Sequence, residues 1–271
     1  MFLWRFQSLA GNAINPALVK SIQIIVQLLD ILKRKSIMSH EVRMNRLSAQ
    51  IGFWSAALSV LTLVVYTVCF GFLVTMNPLF MWTNLADYVA YVDQYRSPWP
   101  DMARFAIVIL AALWVVMLNA VHDYARDEHK ILARISLAFG LAFAVLTGAF
   151  YFVQISAVRL SLLKGDVAGL EQIVQANPYS ALAAMNMLAW SLFLGLASLF
   201  AAPIFSGGRV ERVLRIAFVL NGIFCLLSIV GYLFEIVVLL FITVNLGTGS
   251  ALLVITIGLS LLFRKLGWAA G

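Results

Sequence analysis

Two apolar runs lie end to end near the end of the chain: IAFVLNGIFCLLSIVGYLFE at residues 216–235 and IVVLLFITVNLGTGSALLVITIGLSLLF at residues 236–263. Glu235 is the only formally charged residue between Arg215 and Arg264. A helix of about 20 apolar residues crosses the hydrocarbon of a bilayer, so this stretch is long enough for two crossings. It predicts an integral membrane protein.

Two positions for the turn between these crossings are compatible with the sequence. A turn near Glu235 would make residues 236–245 a half-helix that leads into the sixth span. A turn within the polar, glycine-containing residues 245–249 would instead make the fifth span long and tilted. As working bounds we take 216–235 for the fifth span and 246–263 for the sixth.

The fifth span carries a regular polar pattern: Asn221, Cys225, Ser228, Tyr232 and Glu235. Steps of four and three residues place all five on one helical face. Unpaired polar groups are costly in hydrocarbon, so this face is predicted to contact other helices and not lipid. It either holds helices together through hydrogen bonds or lines a binding cleft or solute path.

Composition supports a chain that is embedded almost throughout. Of 271 residues, 63% are hydrophobic and 11% are charged, whereas soluble domains carry about 25% charged residues. A separate folded domain is therefore not expected. The formal charge of +7 does not indicate nucleic-acid binding, because the basic residues flank the apolar runs. Cys69 and Cys225 both fall within predicted spans and are interpreted as packing residues.

Four further spans are predicted at 51–76, 103–121, 136–158 and 181–205. The predicted fold is therefore all-α, with a six-transmembrane-helix bundle at 51–264 between a segment at 1–50 and a tail at 265–271. Six spans with both termini in the cytoplasm place 15 of the 19 Lys and Arg residues on the cytoplasmic side, as the positive-inside rule requires. We expect a prokaryotic cytoplasmic (inner) membrane.

The N-terminal segment has its own helical pattern at residues 17–35, where apolar and polar residues separate onto two faces. Basic residues follow it, which is typical of an interfacial helix on anionic lipid. A helix that binds a membrane-protein partner fits the same pattern. In a further alternative, translation begins at Met38 or Met44 and the first residues do not belong to the protein.

Both loops predicted on the outer side carry helical signals. In the loop at 76–102, aromatic and apolar residues at helical spacing predict a short surface helix that ends at Ser97–Pro100. In the loop at 159–180, Asp166 is predicted to cap a short helix that carries Glu171. Small residues also form ridges on two spans, at Gly140, Ala144 and Gly148 on the third and at Ala184, Ser191, Gly195, Ser198 and Ala202 on the fourth.

The outer ends of the third and fifth spans are predicted to form a polar mouth. In the six-span topology Tyr151, Gln154 and Arg159 lie at the same depth as Tyr232 and Glu235. Arg159 is predicted to pair with Glu235, with Glu171 as its rival partner, because pairing offsets part of the desolvation cost of both charges. Together with Asn221 and Ser228, these residues are the binding candidates.

A metal or catalytic site has little support in the sequence. His122 and His129 lie in the most polar segment, HDYARDEHKILAR at 122–134, and are weak candidates for metal ligands. A charged segment between two spans is more typically a solvated helix end. The sequence contains no P-loop, HExxH, GxSxG or EF-hand pattern, identifies no cofactor and does not indicate an enzyme.

Two function classes remain. The first is a non-catalytic accessory, assembly or ligand-binding component that binds a partner protein, lipid or hydrophobic ligand in the membrane. The second is a small-solute permease or channel that uses the polar face of the fifth span. Every Asp, Glu, Lys and Arg lies at a span end or outside the spans, whereas ion-coupled transporters usually keep charged residues inside the membrane. The first class is therefore favoured.

Overall fold

The computed structural model describes residues 44–268. The helix predicted at residues 17–35 lies outside the described residues. Within 44–268 every regular element is helical, and six helices are long and apolar enough to cross a membrane. The predictions of an all-α fold and of six helices of spanning length are confirmed.

The first two helices, α1 (Arg46–Met76) and α2 (Leu85–Gln94), begin at asparagine caps. The Asn45 side chain accepts a hydrogen bond from Leu47 N, and the Asn84 side chain accepts one from Asp87 N. Such caps satisfy main-chain donors that have no partner within the helix. Helix α1 ends at Met76 because Asn77, which precedes a proline, adopts an extended conformation. The short helix predicted in the loop after the first span is thus present as α2.

Helix α3 (Trp99–Tyr124) begins between two prolines, Pro98 and Pro100, which fit the first turn of a helix. Helix α4 (Asp127–Lys164) is longer than the predicted third span. It widens into a π-helical segment at Gln154–Val158 and ends at Gly165, whose φ of 70° favours glycine.

The loop after α4 differs from its prediction. Asp166 does not cap a helix; its main-chain N–H donates to Ser161 O as part of the end of α4. The rest of the loop contains a single 3₁₀ turn at Leu170–Gln172. Helix α4 continues past residue 158 to Lys164 and takes up the first residues of the predicted loop.

The last three helices are α5 (Ala181–Ile204), α6 (Arg209–Leu233) and α7 (Val237–Trp268). The turn between α6 and α7 lies at Glu235, whose φ is 53°. Ile236 N donates to Gly231 O across this turn, the hydrogen bond that closes helices ending in a left-handed residue.

The structure therefore selects the turn near Glu235. Helix α7 begins at Val237, ahead of the working bound of 246 for the sixth span. The polar residues at 245–250 do not break this helix. A π-helical segment at Ile242–Thr248 accommodates them within it.

The six long helices form a ring in chain order. Each packs against the next, and α7 packs back against α1. Large aromatic residues fill the interior of this ring. Trp114 lies against Phe143 and Phe218, with ring centroids 6.4 Å apart in both pairs, and Phe205 stacks on Phe218 at 5.4 Å.

The small residues on the spans contribute unequally to close packing. A Cβ at Gly222 of α6 would lie 2.5 Å from Leu199 of α5, so these two helices touch through their glycine surfaces. A side chain at Gly140 would clash with Leu118 of α3, whereas the space around Gly148 is open. Ala184 is exposed. The predicted ridges thus pack closely only in part.

The outward faces of the six helices are apolar. Leu61, Val145 and Phe241 expose 58%, 59% and 51% of their surface, and many neighbours resemble them. Apolar surface that extends around a whole protein is not stable in water. These faces suggest a membrane location.

Candidate ligand site

The predicted site residues separate into two groups. Asn221 and Ser228 lie in the interface between α5 and α6 and are completely buried. Asn221 Nδ2 donates to Ser198 Oγ at 2.7 Å, and the Ser191 and Ser228 hydroxyls are also 2.7 Å apart. This part of the polar face of the fifth span thus faces α5, and Asn221 and Ser228 form hydrogen bonds between helices.

The outer end of α6 also lies apart from Arg159. The Tyr232 hydroxyl donates to Pro178 O at 2.7 Å, and Glu235 is exposed in the turn. Arg159 Nε instead lies 3.2 Å from Asp101 Oδ2. Among the described residues, neither Glu235 nor Glu171 forms an ion pair with Arg159.

The predicted Arg159–Glu235 pair is therefore wrong, and the reason lies in the order of the ring. Helix α5 stands between α4 and α6, whereas α3 packs directly against α4. Asp101, in the first turn of α3, is therefore the carboxylate that pairs with Arg159. The sequence indicates depth in the membrane, but two residues at one depth need not be neighbours.

Tyr151, Gln154 and Arg159 line a cavity of about 910 Å³. It lies at the end of the bundle where residues 77–98 and 165–180 are found, which we call the capped end. Aromatic and aliphatic side chains dominate its lining, among them Tyr66, Phe70, Leu73, Phe105, Ile155 and Leu162. Ligand pockets in proteins commonly occupy about 300–1,000 Å³ and are mainly apolar in the same way.

The roof of this cavity consists of two loops that pack together. Tyr88 of α2 joins Val158, Leu170 and Val174 in one buried cluster, so the loop after α1 and the loop after α4 form a single cap. The Tyr91 hydroxyl donates to Pro78 O at 2.9 Å. Burial raises the pKa of this phenol, and Tyr95 and Tyr88 raise it further, so Tyr91 remains a neutral hydrogen-bond donor.

Gln154 fastens the cap to the bundle. Its side chain is completely buried, its Nε2 donates to Ile173 O at 2.6 Å, and its Oε1 accepts from Gln175 N at 2.9 Å. Both partners are main-chain groups of the 165–180 loop. Buried main-chain groups need hydrogen-bond partners, and here the Gln154 amide supplies them in place of a helix or strand. The sequence predicts Gln154 as a ligand contact, and the structure assigns it this anchoring role.

The charged groups of the cavity centre on one carboxylate. Asp101 accepts from Arg104 Nη1 at 3.0 Å and lies 3.2 Å from Arg159 Nε. Arg104 Nε also donates to Gln175 Oε1 at 2.9 Å. The Arg104 side chain is 17% exposed and that of Arg159 is 52% exposed. Asp101, Arg104 and Arg159, which we call the arginine cluster, carry a net charge of +1.

Below the arginine cluster the cavity reaches the polar side chain of Tyr151. The Tyr151 hydroxyl lies within electrostatic reach of Asn186 and Trp190 of α5. Within the described residues, however, neither Asn186 Oδ1 nor Trp190 Nε1 completes a hydrogen bond of good geometry. Tyr151 lines the cavity, and Asn186 and Trp190 lie behind it on α5.

Two π-helical segments shape this region. Gln154–Val158 of α4 includes Ile155, which lines the cavity, and Ala189–Phe193 of α5 includes Trp190. An extra residue per turn rotates the side chains that follow it, and such segments are frequent at functional sites. Hydrophobic periodicity at 3.6 residues per turn gives no sign of them.

The weak metal candidates lie at the opposite end of the bundle. His122 Nδ1 is 3.6 Å from Asp123 and His129 Nδ1 is 4.0 Å from Glu128. In residues 44–268 no three His, Cys, Asp or Glu side chains are grouped so that they could hold a metal ion.

Asp101, Arg104 and Gln175 are the site residues that sequence reasoning missed. The spacing of Asp101 and Arg104, three residues apart at the start of a helix, was a readable signal for a local pair. The contact to Arg159 depends on the order of helices in the ring, and Gln175 reaches Arg104 only through the fold of the cap.

Comparisons of the chain with protein-family models, with curated proteins and with solved structures found no match. The case for a function therefore rests on the chemistry and geometry of the chain itself.

Proposed function

We propose that this protein is a non-catalytic membrane component that binds a hydrophobic or amphipathic ligand in the cavity at the capped end. The observation that carries the proposal is the cavity itself, about 910 Å³ in volume and lined mainly by aromatic and aliphatic side chains. The arginine cluster adds a small number of placed polar groups, the usual combination in ligand sites.

Three features favour the permease alternative: the polar face of α6, a possible break at residues 245–250, and an outer cluster of Tyr151, Gln154, Arg159 and Glu235. The first two have another explanation. On the polar face of α6, Asn221 and Ser228 are buried and hydrogen bonded to α5, and Cys225 Sγ lies 3.5 Å from Thr248 Oγ1 of α7. The polar residues at 245–250 lie within a continuous helix. Contacts between helices thus account for Asn221, Cys225 and Ser228, and the residues at 245–250 do not interrupt α7.

The proposal includes the topology inferred from Lys and Arg. The protein lies in a prokaryotic inner membrane, with both termini on the cytoplasmic side and the capped end on the outer side. In this orientation 15 of the 19 basic residues face the cytoplasm. Gln94 of α2 and Ser206 between α5 and α6 are exposed reporters of the two sides. In a variant without Cys69 and Cys225, an impermeant thiol reagent should label Gln94→Cys and not Ser206→Cys on intact cells. The reverse pattern would overturn the orientation.

Residues 17–35 complete the proposal. We assign them to the cytoplasmic membrane face, bound to anionic lipid or to a membrane-protein partner, because Gln23, Gln27 and Asp30 would make a crossing costly. A chain that begins at Met38 should still insert and remain monodisperse in detergent. Aggregation of that shortened chain would contradict a role confined to the surface.

Photolabelling tests the ligand site directly. The probe is hexadecanol that carries a diazirine group, applied to the protein in phosphatidylcholine nanodiscs. Labelling of the cavity-lining segments should saturate at low probe concentration and should be displaced by unlabelled hexadecanol. Labelling of the outward faces should rise in proportion to probe concentration, because it reports bulk lipid.

Two tryptophan substitutions provide the matched pair. Ala176 lines the cavity and Ala176→Trp should fill part of it, so saturable labelling should fall. Ala184 is exposed on α5, and Ala184→Trp should leave labelling unchanged. Labelling that never saturates in the unmodified protein, or that falls equally in both variants, would overturn the proposed function.

A further inference from the structure

The charges that line the cavity do not cancel. Three arginines and two aspartates contribute to its lining: Arg96, Arg104, Arg159, Asp93 and Asp101. Arg96 Nη2 and Asp93 Oδ1 lie 2.8 Å apart and pair with each other near solvent, where the side chains are 63% and 60% exposed. The excess positive charge therefore belongs to the arginine cluster, where two guanidinium groups share one carboxylate.

An uncompensated cation beside an apolar cavity is costly, because low-polarity surroundings weaken its solvation. Arg104 is the more buried partner, at 17% exposure, and two of its nitrogens already bind Asp101 and Gln175. Its position is therefore fixed. One anion placed at this cluster would bring the charge of the group to zero.

Arg159 has the geometry to receive that anion. Only its Nε contacts Asp101, and among the described residues Nη1 and Nη2 have no hydrogen-bond acceptor. The two terminal nitrogens form a planar fork that matches the spacing of two oxygens on a carboxylate or phosphate. At 52% exposure, the fork can be reached from the cavity mouth.

Resting on the proposed function, we propose that the ligand is an anionic amphiphile. Its carboxylate or phosphate headgroup binds the Arg159 fork, and its apolar chain lies against Phe70, Phe105 and Ile155. Asp101 has two opposing effects on such a ligand, since it orients both arginines but also repels the headgroup. This opposition makes the proposal testable with substitutions that act in opposite directions.

The experiment measures how well three unlabelled amphiphiles displace the diazirine-hexadecanol probe in phosphatidylcholine nanodiscs. Hexadecanoate and hexadecyl phosphate are the anionic arms, and hexadecanol is the neutral arm of equal chain length. We expect either anion to bind about 10-fold more tightly than hexadecanol, the effect of a typical charged hydrogen bond. The better of the two anions identifies the headgroup as carboxylate or phosphate.

Substitutions in the arginine cluster should have opposite effects. Arg159→Gln should remove the preference for the anions, and Arg159→Lys should retain part of it, because a lysine keeps the charge but lacks the fork. Asp101→Asn should tighten anion binding several-fold, because it removes the repulsive charge. Hexadecanol should displace the probe equally in all these variants, which also shows that each retains a folded cavity.

Arg96→Gln and Asp93→Asn are the matched controls. They make the same changes of charge in the lining of the same cavity, but outside the arginine cluster, and should leave the preference for anions unchanged. Equal effects of the control and cluster substitutions would overturn the proposal in favour of general surface charge. Equal binding of anions and hexadecanol would overturn it while leaving the proposed function intact, whereas failure of all three amphiphiles to displace the probe would overturn both.

Discussion

At the α5–α6 interface, Asn221, Ser191 and Ser228 are buried and bonded across the two helices. At the capped end, Arg104 and Arg159 share one carboxylate beside a cavity. Both regions lie between predicted spans and both are polar, yet their polar groups are used differently. In the first region helix packing satisfies most of them, and in the second a net charge and an open guanidinium fork remain.

This difference shows why polar residues in a span do not by themselves indicate a path. Interhelical hydrogen bonds stabilise membrane bundles by only about 0.6 kcal/mol each, but they allow polar side chains to lie at a close contact between glycine surfaces. A binding site requires space as well as polarity. Of these two regions, the capped end has both, whereas the α5–α6 interface has polarity without space.

The largest expected effect tests the close packing of α5 and α6. Gly222→Ala places a Cβ 2.5 Å from Leu199 Cγ, and such overpacking should lower the free energy of unfolding by about 2 kcal/mol. Gly148→Ala is the control, because its surroundings are open. Unfolding in mixed detergent micelles with increasing dodecyl sulfate measures both. Equal stability of the two variants would mean that α5 and α6 do not approach closely.

A comparable or smaller effect is expected from loss of the amide that anchors the cap. Gln154→Leu leaves Ile173 O and Gln175 N without their partners, which should cost about 1–2 kcal/mol. The cost should appear locally, as faster amide hydrogen exchange in residues 165–180. Gln172→Leu changes an exposed residue of the same loop and should not accelerate exchange. Unchanged exchange in Gln154→Leu would show that the cap is held by other contacts.

The smallest effect concerns the hydroxyl pair across α5 and α6. In a double-mutant cycle, Ser191→Ala and Ser228→Ala should be coupled by about 0.6 kcal/mol. Ser191→Ala and Ser136→Ala should instead be additive within about 0.3–0.5 kcal/mol, because Ser136 bonds to Ala197 O and not to Ser191. Additive losses for both pairs would remove the evidence for interhelical bonding.

Much of the fold followed from hydropathy alone. Apolar runs located six helices, and the spacing of Asn221, Cys225 and Ser228 placed them on one buried face. These features are local in sequence, so periodicity reveals them. The ends of helices were less predictable, because α4 continues past residue 158 to Lys164 and α7 begins at Val237.

The site followed only in part. Tyr151, Gln154 and Arg159 do line one cavity, because they lie at the same end of one helix. Their partners come from α3 and from the cap, and no local pattern specifies which helices are neighbours. The turn at Glu235 could not be predicted from residue type, because Glu235 adopts a left-handed conformation that glutamate does not favour.

Cysteine accessibility tests most directly the claim that the capped end is open and the polar face of α6 is closed. In a background with Cys69→Ala and Cys225→Ala, Ile155→Cys reports the cavity and Ser228→Cys reports the interface. A small water-soluble methanethiosulfonate reagent should modify Ile155→Cys, more slowly when hexadecanol is present, and should leave Ser228→Cys unmodified. Modification of Ser228→Cys with Ile155→Cys unreactive would contradict the account and favour a path along α6.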